Sequence, residues 1–369
     1  MSKLPNRLLL LLLLGTAYAA VSLVGPSATP SAAPVADPRG VDPASPNPLE
    51  GLRFYVDLDS PSWHQWQAHR RAGDTRKADL IWKIAREPKN LWLGRFTRPN
   101  FAVKVRRLIE AASADGSVPI FTVLRAQSTG CGPRYQGGGP GEDRATRAWY
   151  DDLARVIGDD RVVIAFEPDS LGTIDCHARS RRDDRIRLLR HGVTALSRLP
   201  QATVYLEGGA SDWESARRTA KQLRAIGIGK VRGFMLNATH SDWTSANVRH
   251  GLEISRLTGG KHFVINTAEN GRGPVHYRRN GRRITVWCNP GLRGLGPPPT
   301  TDTAHPKVDA YLWINRPGYA QSCQGRPIAW YPPRALTYAT FATDWVRPPR
   351  GTRFGHHKRY PLRAFGVPD

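Results

Sequence analysis

The sequence predicts an α/β barrel of seven parallel strands, single-domain and TIM-like, and three observations carry that prediction. Seven strand-like runs alternate with helical patterns, as successive βα units around a parallel sheet require. The run Val162–Phe166, VVIAF, is apolar at every position, so it has no polar side to give to water and reads as a strand buried on both faces. No GxGxxG follows the first strand, which argues against a dinucleotide-binding sheet and leaves the closed barrel as the leading architecture.

Taken in order, Phe54 to Leu58 in RFYVDLDS reads as the first strand. Helical patterns at Lys77 to Arg86 and Phe101 to Ala114 precede a strand at Pro119 to Leu124. A helix over Asp143 to Ile157 leads into VVIAF. The alternation continues through helix Asp183 to Leu199, strand Thr203 to Gly208, helix Asp212 to Ile226 and strand Gly233 to Asn237. Helix Thr244 to Leu257, strand Phe263 to Thr267, a last strand at Ala310 to Asn315 and a helix at Pro333 to Trp345 complete it. Within HYRRNGRRITVW, Asn280-Gly281 signals a type I′ hairpin that would project Arg278, Arg279, Arg282 and Arg283 as a basic cluster. Gly137 to Gly139 in RYQGGGPGED lack the Lys and Ser or Thr of a phosphate loop and read as a flexible connection.

The barrel occupies residues 50–348, and the flanks are of a different character. In residues 1–24, Lys3 and Arg7 precede the apolar run Leu8 to Leu14 and the small residues around Ala17 to Ala20, the layout of a signal peptide. An uncleaved anchor is the alternative, since the apolar character runs on to Val24 and roughly 17 to 25 residues span a bilayer. Residues 25–49 are a Pro, Ala and Ser linker with too little apolar surface to fold, and 349–369 form a basic tail. The expected location is therefore secreted or at the cell surface.

A formal charge of +23 is the largest compositional deviation and points to an anionic partner such as a cell-wall polymer, with a solvated basic surface as the plain alternative. No specific nucleic-acid partner is expected outside the cell, and a membrane partner follows only if the leader stays uncleaved. The four cysteines, Cys131, Cys176, Cys288 and Cys323, suit disulfides in an oxidising compartment and allow three pairings. They are too scattered for zinc, and no CxxC, HxxxH, P-loop, HExxH or GxSxG occurs, so no metal and no cofactor is expected.

Chemistry is most readily placed where VVIAF runs into Glu167, Pro168 and Asp169, because barrel enzymes carry catalytic groups at the C-terminal ends of their strands. A turn-capping role for Asp169 is the structural alternative. The ordered motifs FEPDSLG, YLEGG, MLNATH, INTAENGRGP, WCNPGLRGLG and DAYLWINRPG resemble glycoside hydrolase family 6, over roughly residues 50 to 346. The resemblance implies a distorted seven-stranded barrel, a cleft for β-1,4-glucan, inverting hydrolysis, disulfides Cys131–Cys176 and Cys288–Cys323, and a monomer. It makes Asp169 the general acid.

Inversion also needs a carboxylate across the sugar, about 6.5 to 9.5 Å away, to activate water. Against the family pattern, the second aspartate that tunes the acid is Gly130, its neighbouring arginine is Thr129, and the tyrosine crowding the sugar is Leu124. The lysine, glutamate and proposed base aspartate after the last strand are Asn315, Tyr319 and Gln321. Glu207 replaces an aspartate, Ala210 a histidine and Asn266 another aspartate. Trp92, Trp213, Trp243 and Trp287 offer flat faces for stacking on sugar rings, with core packing as the alternative for each. Arg293 and Asn237 join them as expected substrate-binding residues, Asn237 and Asp309 being equally suited to a structural part. The expected function is a β-glucan-binding family member with weak or lost hydrolysis. Two rivals stand beside it: an active endo-type glucanase, using Asp169 with a base drawn from Glu207, Asp212, Asp242 or Asp302, and a basic wall-binding scaffold.

Overall fold

Apolar strands separated by amphipathic helices close a sheet most economically by curling it, and the computed structural model has this form. It describes residues 46–94, 100–126, 140–279, 282–286, 289–303, 305–320 and 328–347. Two helices, α1 (Pro61–Arg71) and α2 (Thr75–Ala85), lead into β1 (Leu91–Gly94). Then come α3 (Phe101–Ala114), β2 (Ile120–Leu124), α4 (Pro140–Ile157), β3 (Val162–Phe166), α5 (Arg179–Leu196), β4 (Ala202–Glu207), α6 (Ala216–Ile226), β5 (Gly233–Leu236), α7 (Thr244–Leu257) and β6 (His262–Asn266). A hairpin of β7 (His276–Arg279) and β8 (Arg282–Thr285) precedes β9 (Val308–Leu312), a short pair β10 (Tyr319–Ala320) and β11 (Ala329–Trp330), and α8 (Pro332–Thr340).

Seven strands form one parallel sheet in the order β1-β2-β3-β4-β5-β6-β9. Their period of two divides the core. Val163, Ala165, Tyr205, Met235, Val264, Ala310 and Leu312 fill the inside with Leu49, while Ile164, Phe166, Val204, Leu206, Phe234 and Ile265 face the helices. Between the edges β1 and β9 the ladder is replaced by a backbone bond from Asn90 N to Trp313 O, 3.0 Å, and by the Trp92 indole donating to Ile314 O at 2.9 Å. The result is a distorted barrel with an open seam.

Caps set several helix ends. Ser60 accepts from Trp63 N ahead of Pro61 in α1, Ser215 accepts from Arg218 N in α6, and α6 stops at Gly227, whose φ of 100° suits a residue without a Cβ.

The first expected strand needs correction. Phe54 makes a single parallel bridge to Val118, and Leu58 is 54% exposed; the edge strand is instead Leu91–Gly94, four residues after a polar stretch. The other six strands, the hairpin pairing and the order of helices follow the sequence reading, although α1 was not foreseen and α6 starts at Ala216 rather than Asp212. A register shift at Phe263/Val264 makes Asp309 the extra residue of a bulge. Its fully buried carboxylate receives Arg232 Nε and Nη2, both at 2.8 Å, and the Tyr205 hydroxyl at 2.7 Å, a structural cluster at the base of the barrel.

Candidate functional site

The end of β3 makes an unusual exit. Glu167 and Asp169, on either side of Pro168, have φ of 55° and 66°, a left-handed conformation that costs energy for residues with a Cβ. Hydrogen bonding holds it in place. The fully buried Glu167 carboxylate accepts Arg125 N at 2.8 Å, Ala126 N at 3.0 Å and the Tyr150 hydroxyl at 2.7 Å, fastening the exit of β2 to that of β3. Burial raises its pKa, against the lowering effect of Tyr150 and Arg185.

Asp169 is held at the C-terminal end of β3 by Glu207 on β4 and by Thr239, which follows β5. Its N–H donates to Glu207 Oε2 at 2.8 Å, Gly209 N donates to Glu207 Oε1 at 2.7 Å, and the Thr239 hydroxyl donates to Asp169 Oδ1. Burial raises the Asp169 pKa against opposing contributions from Thr239 and His240. Glu207, only 2% exposed, is pushed up to about 8 by burial and then by the Asp169 charge. Of two carboxyls this close, the more buried one keeps the proton longer.

Beside them stands an imidazole the sequence analysis did not single out. His240 Nδ1 lies 2.8 Å from Asp212 Oδ1, and the ring stacks on Trp213 at 5.0 Å and 15°. Burial works to lower its pKa, but Asp212 and then Asp169 outweigh this and raise it; Asp212 is in turn held low by His240 despite its own burial. The Ser211 hydroxyl donates to Asp242, which caps Trp243 N at 2.8 Å.

The expected residues fall into groups. Asp169, Glu207, Trp213 and Trp243 gather at the ends of β3, β4 and β5. Trp213 lies over Gly172, where a Cβ would come within 2.4 Å of the ring, and Trp243 lies over Gly273, at 2.2 Å by the same measure. Arg293 is 1% exposed and donates to the carbonyls of Gly273 and Gly291, so it secures the turn under Trp243 and presents no surface to substrate. Asn237 is fully buried. Its amide bonds Asn266 O at 2.9 Å and Asp242 O at 3.1 Å, while Asn266 Nδ2 returns a bond to Asn237 O, so the pair joins β5 to β6. Trp92, Asn315 and Tyr319 sit across the barrel at the seam, and Leu124, 6% exposed, ends β2. Asp302 is exposed and apart from the cluster.

Thr129, Gly130, Trp287, Gln321, Cys131, Cys288 and Cys323 lie outside the described residues; Cys176 is disulfide-bonded. No group of three or more His, Cys, Asp or Glu fit to hold a metal ion occurs among the described residues.

The profile of the glycosyl hydrolases family 6 matches residues 49–327. The chain belongs to glycoside hydrolase family 6. This family 6 chain is 34% identical over 299 residues to Endoglucanase A of Cellulomonas fimi, covering 80% of this chain and 62% of the relative. It is 31% identical over 291 residues to Endoglucanase A of Thermobispora bispora, covering 78% and 61%. The chain thus spans about three fifths of the length of these two relatives. Among solved structures, the endoglucanase Cel6 from Mycobacterium tuberculosis, in complex with methyl-cellobiosyl-4-deoxy-4-thio-β-D-cellobioside, superposes with a TM-score of 0.72 at 36% identity, over 80% of this chain and 99% of that one. The endoglucanase CEL6B from Humicola insolens shares the fold, with a TM-score of 0.68 at 20% identity over 81% and 99%.

Family membership gives the asymmetry of the cleft its meaning. The β3–β5 side carries Asp169 and is dense with further carboxylates, each tied down: Glu207 to two backbone N–H groups, Asp212 to His240, Asp242 to Ser211 and Trp243 N. The β9 side carries Asn315, Arg316 and Tyr319. Thr239 and His240 were legible only as part of the MLNATH motif; their approach to Asp169 depends on β5 lying beside β4.

Proposed function

We propose that this chain engages β-1,4-glucan in the cleft between Trp213 and Trp92 and hydrolyses it weakly or not at all. One observation carries the reading: Asp169, the expected acid, is braced by Glu207 and Thr239, while the described part of the opposite loop, Asn315 to Ala320, contains no carboxylate. An inverting reaction needs a group that takes a proton from water on the far face of the sugar, and neither an amide nor a phenol above its ordinary pKa does so. Burial lifts the Tyr319 phenol in that direction. The cellobioside ligand of the Mycobacterium tuberculosis endoglucanase, and a relative's name of probable 1,4-beta-D-glucan cellobiohydrolase C, support β-1,4-glucan as the polymer.

One specific observation favours a second reading, an active endoglucanase with a rearranged proton path: the His240–Asp212 pair beside Asp169. Reducing-sugar release and oligosaccharide binding, measured on the same preparation, separate the two. Binding with turnover at or near background supports the first reading, and turnover at ordinary enzyme rates supports the second. The N-terminal segment and linker fit export of the protein, with the barrel held away from a surface.

A further inference from the structure

At the seam between β1 and β9 a cavity of about 200 Å³ is lined by Trp92, Tyr319, Arg316, Asn90, Lys104 and Arg107, with room for one sugar unit. The Arg316 guanidinium stands 4.1 Å from the Tyr319 ring centre and 5.5 Å from that of Trp92. Among the described residues no carboxylate pairs with it.

The remaining charges at the cavity are largely spoken for. Asp59 is shared between His64 at 3.3 Å and Arg107 at 3.7 Å, and the Lys89 ammonium is spent on the carbonyls of Ile84 and Glu87 at 2.7 Å. Asp57 accepts Asp59 N at 3.0 Å, and Lys104 and Arg107 line the same cavity. Asn90 is 1% exposed; its Nδ2 donates to the Thr122 hydroxyl at 2.9 Å, while its Oδ1 has no partner. To this loop Arg316 contributes a guanidinium beside Tyr319.

We propose that this cavity receives an anionic sugar, a uronate unit of a β-1,4-linked chain, with its carboxylate against the Arg316 guanidinium. An arginine fork matches a carboxylate in a way that a diffuse basic surface does not. The inference rests on the glycan-binding reading of the cleft and narrows its substrate class from a neutral glucan to a carboxylated one.

Calorimetric titration of the full chain with a β-1,4-gluco-oligosaccharide, and with the same oligosaccharide oxidised to glucuronate at C6, tests it at physiological salt. The oxidised ligand should bind about tenfold tighter. Arg316→Gln should erase that preference, and Arg316→Lys, which keeps the charge without the fork, should retain only part of it. Arg155→Gln, which removes an exposed arginine paired with Asp152 on α4, should change neither affinity. Equal affinities for the two ligands overturn the uronate assignment and leave the glycan-binding reading standing. A preference that survives Arg316→Gln, or falls equally in Arg155→Gln, assigns it to overall charge and also overturns the assignment. Failure of both ligands to bind overturns both readings.

Discussion

The backbone N–H of Asp169 donates to Glu207 Oε2 at 2.8 Å, so the expected acid is gripped by a second carboxyl through its main chain. That bond stabilises the left-handed exit from β3, since Glu207 is itself fixed by Gly209 N at 2.7 Å. It also places two carboxyls close enough that ionising both is costly, and this governs the response of the fold to pH.

Glu207 titrates at about 8 in the folded chain against 4.5 ordinarily. Between those values the folded protein keeps a proton that the unfolded chain releases, so its contribution is full below about pH 4.5 and is lost as pH rises toward about 8. Melting temperature should fall across that window, and Glu207→Gln should flatten the fall. A wild-type melting temperature that climbs through the same range would refute the pairing.

Hydrolysis of β-1,4-glucan should lie far below that of a complete family member, each positioned proton-transfer group supplying about 10²- to 10⁴-fold. Gly130→Asp with Gln321→Asp should raise the rate more than either change alone, because the two groups act in one transition state. Rescue should be partial while Leu124 and Tyr319 remain, and Asp169→Asn should abolish it. Ordinary enzyme rates in the unmodified chain, lost in Asp169→Asn, would instead direct attention to His240 and Asp212.

Trp213→Ala should weaken glucan binding about fivefold, roughly 1 kcal/mol, with little change in melting temperature, since the half-buried ring rests on His240 and Gly172. Gly172→Ala supplies the complementary measurement. Its new Cβ would stand 2.4 Å from the ring and must displace it, so binding should drop even though the tryptophan is kept. Unchanged affinity in both variants would remove Trp213 from the binding face.

Asp309→Asn should cost about 3 to 5 kcal/mol in denaturant unfolding, because Arg232, 1% exposed at its side chain, would be left as a buried charge without its partner. A loss under about 1 kcal/mol would mean that water reaches the cluster.

Peptide mapping of unreduced protein should recover Cys131 linked to Cys176 and Cys288 linked to Cys323. A Cys131–Cys288 link would contradict the pairing that the family resemblance implies.

What the sequence determined by itself were the features set by local pattern. Runs such as VVIAF and GFML become strands because unbroken apolar residues must be buried on both faces, and Phe101–Ala114 and Thr244–Leu257 become helices because their apolar residues recur along one face. The place of Asp169 was legible for the same reason: a carboxylate directly after a buried strand has to emerge at the strand's end. Tertiary structure decided what local pattern does not encode. Phe54–Leu58 has the look of a strand but lacks a neighbour along its length, whereas Leu91–Gly94 becomes one because β2 offers it a full ladder. Arg293 and Asn237 have the chemistry of ligand contacts, yet packing turns them inward to hold Gly273 and Asn266. His240 and Asp212, 28 residues apart, meet only because β4 and β5 are neighbours, and the Arg316 cavity exists only because β1 and β9 fail to pair. Side-chain type is written in the chain, but which polar groups face water, ligand or one another follows from how the strands are ordered and where the sheet stops closing.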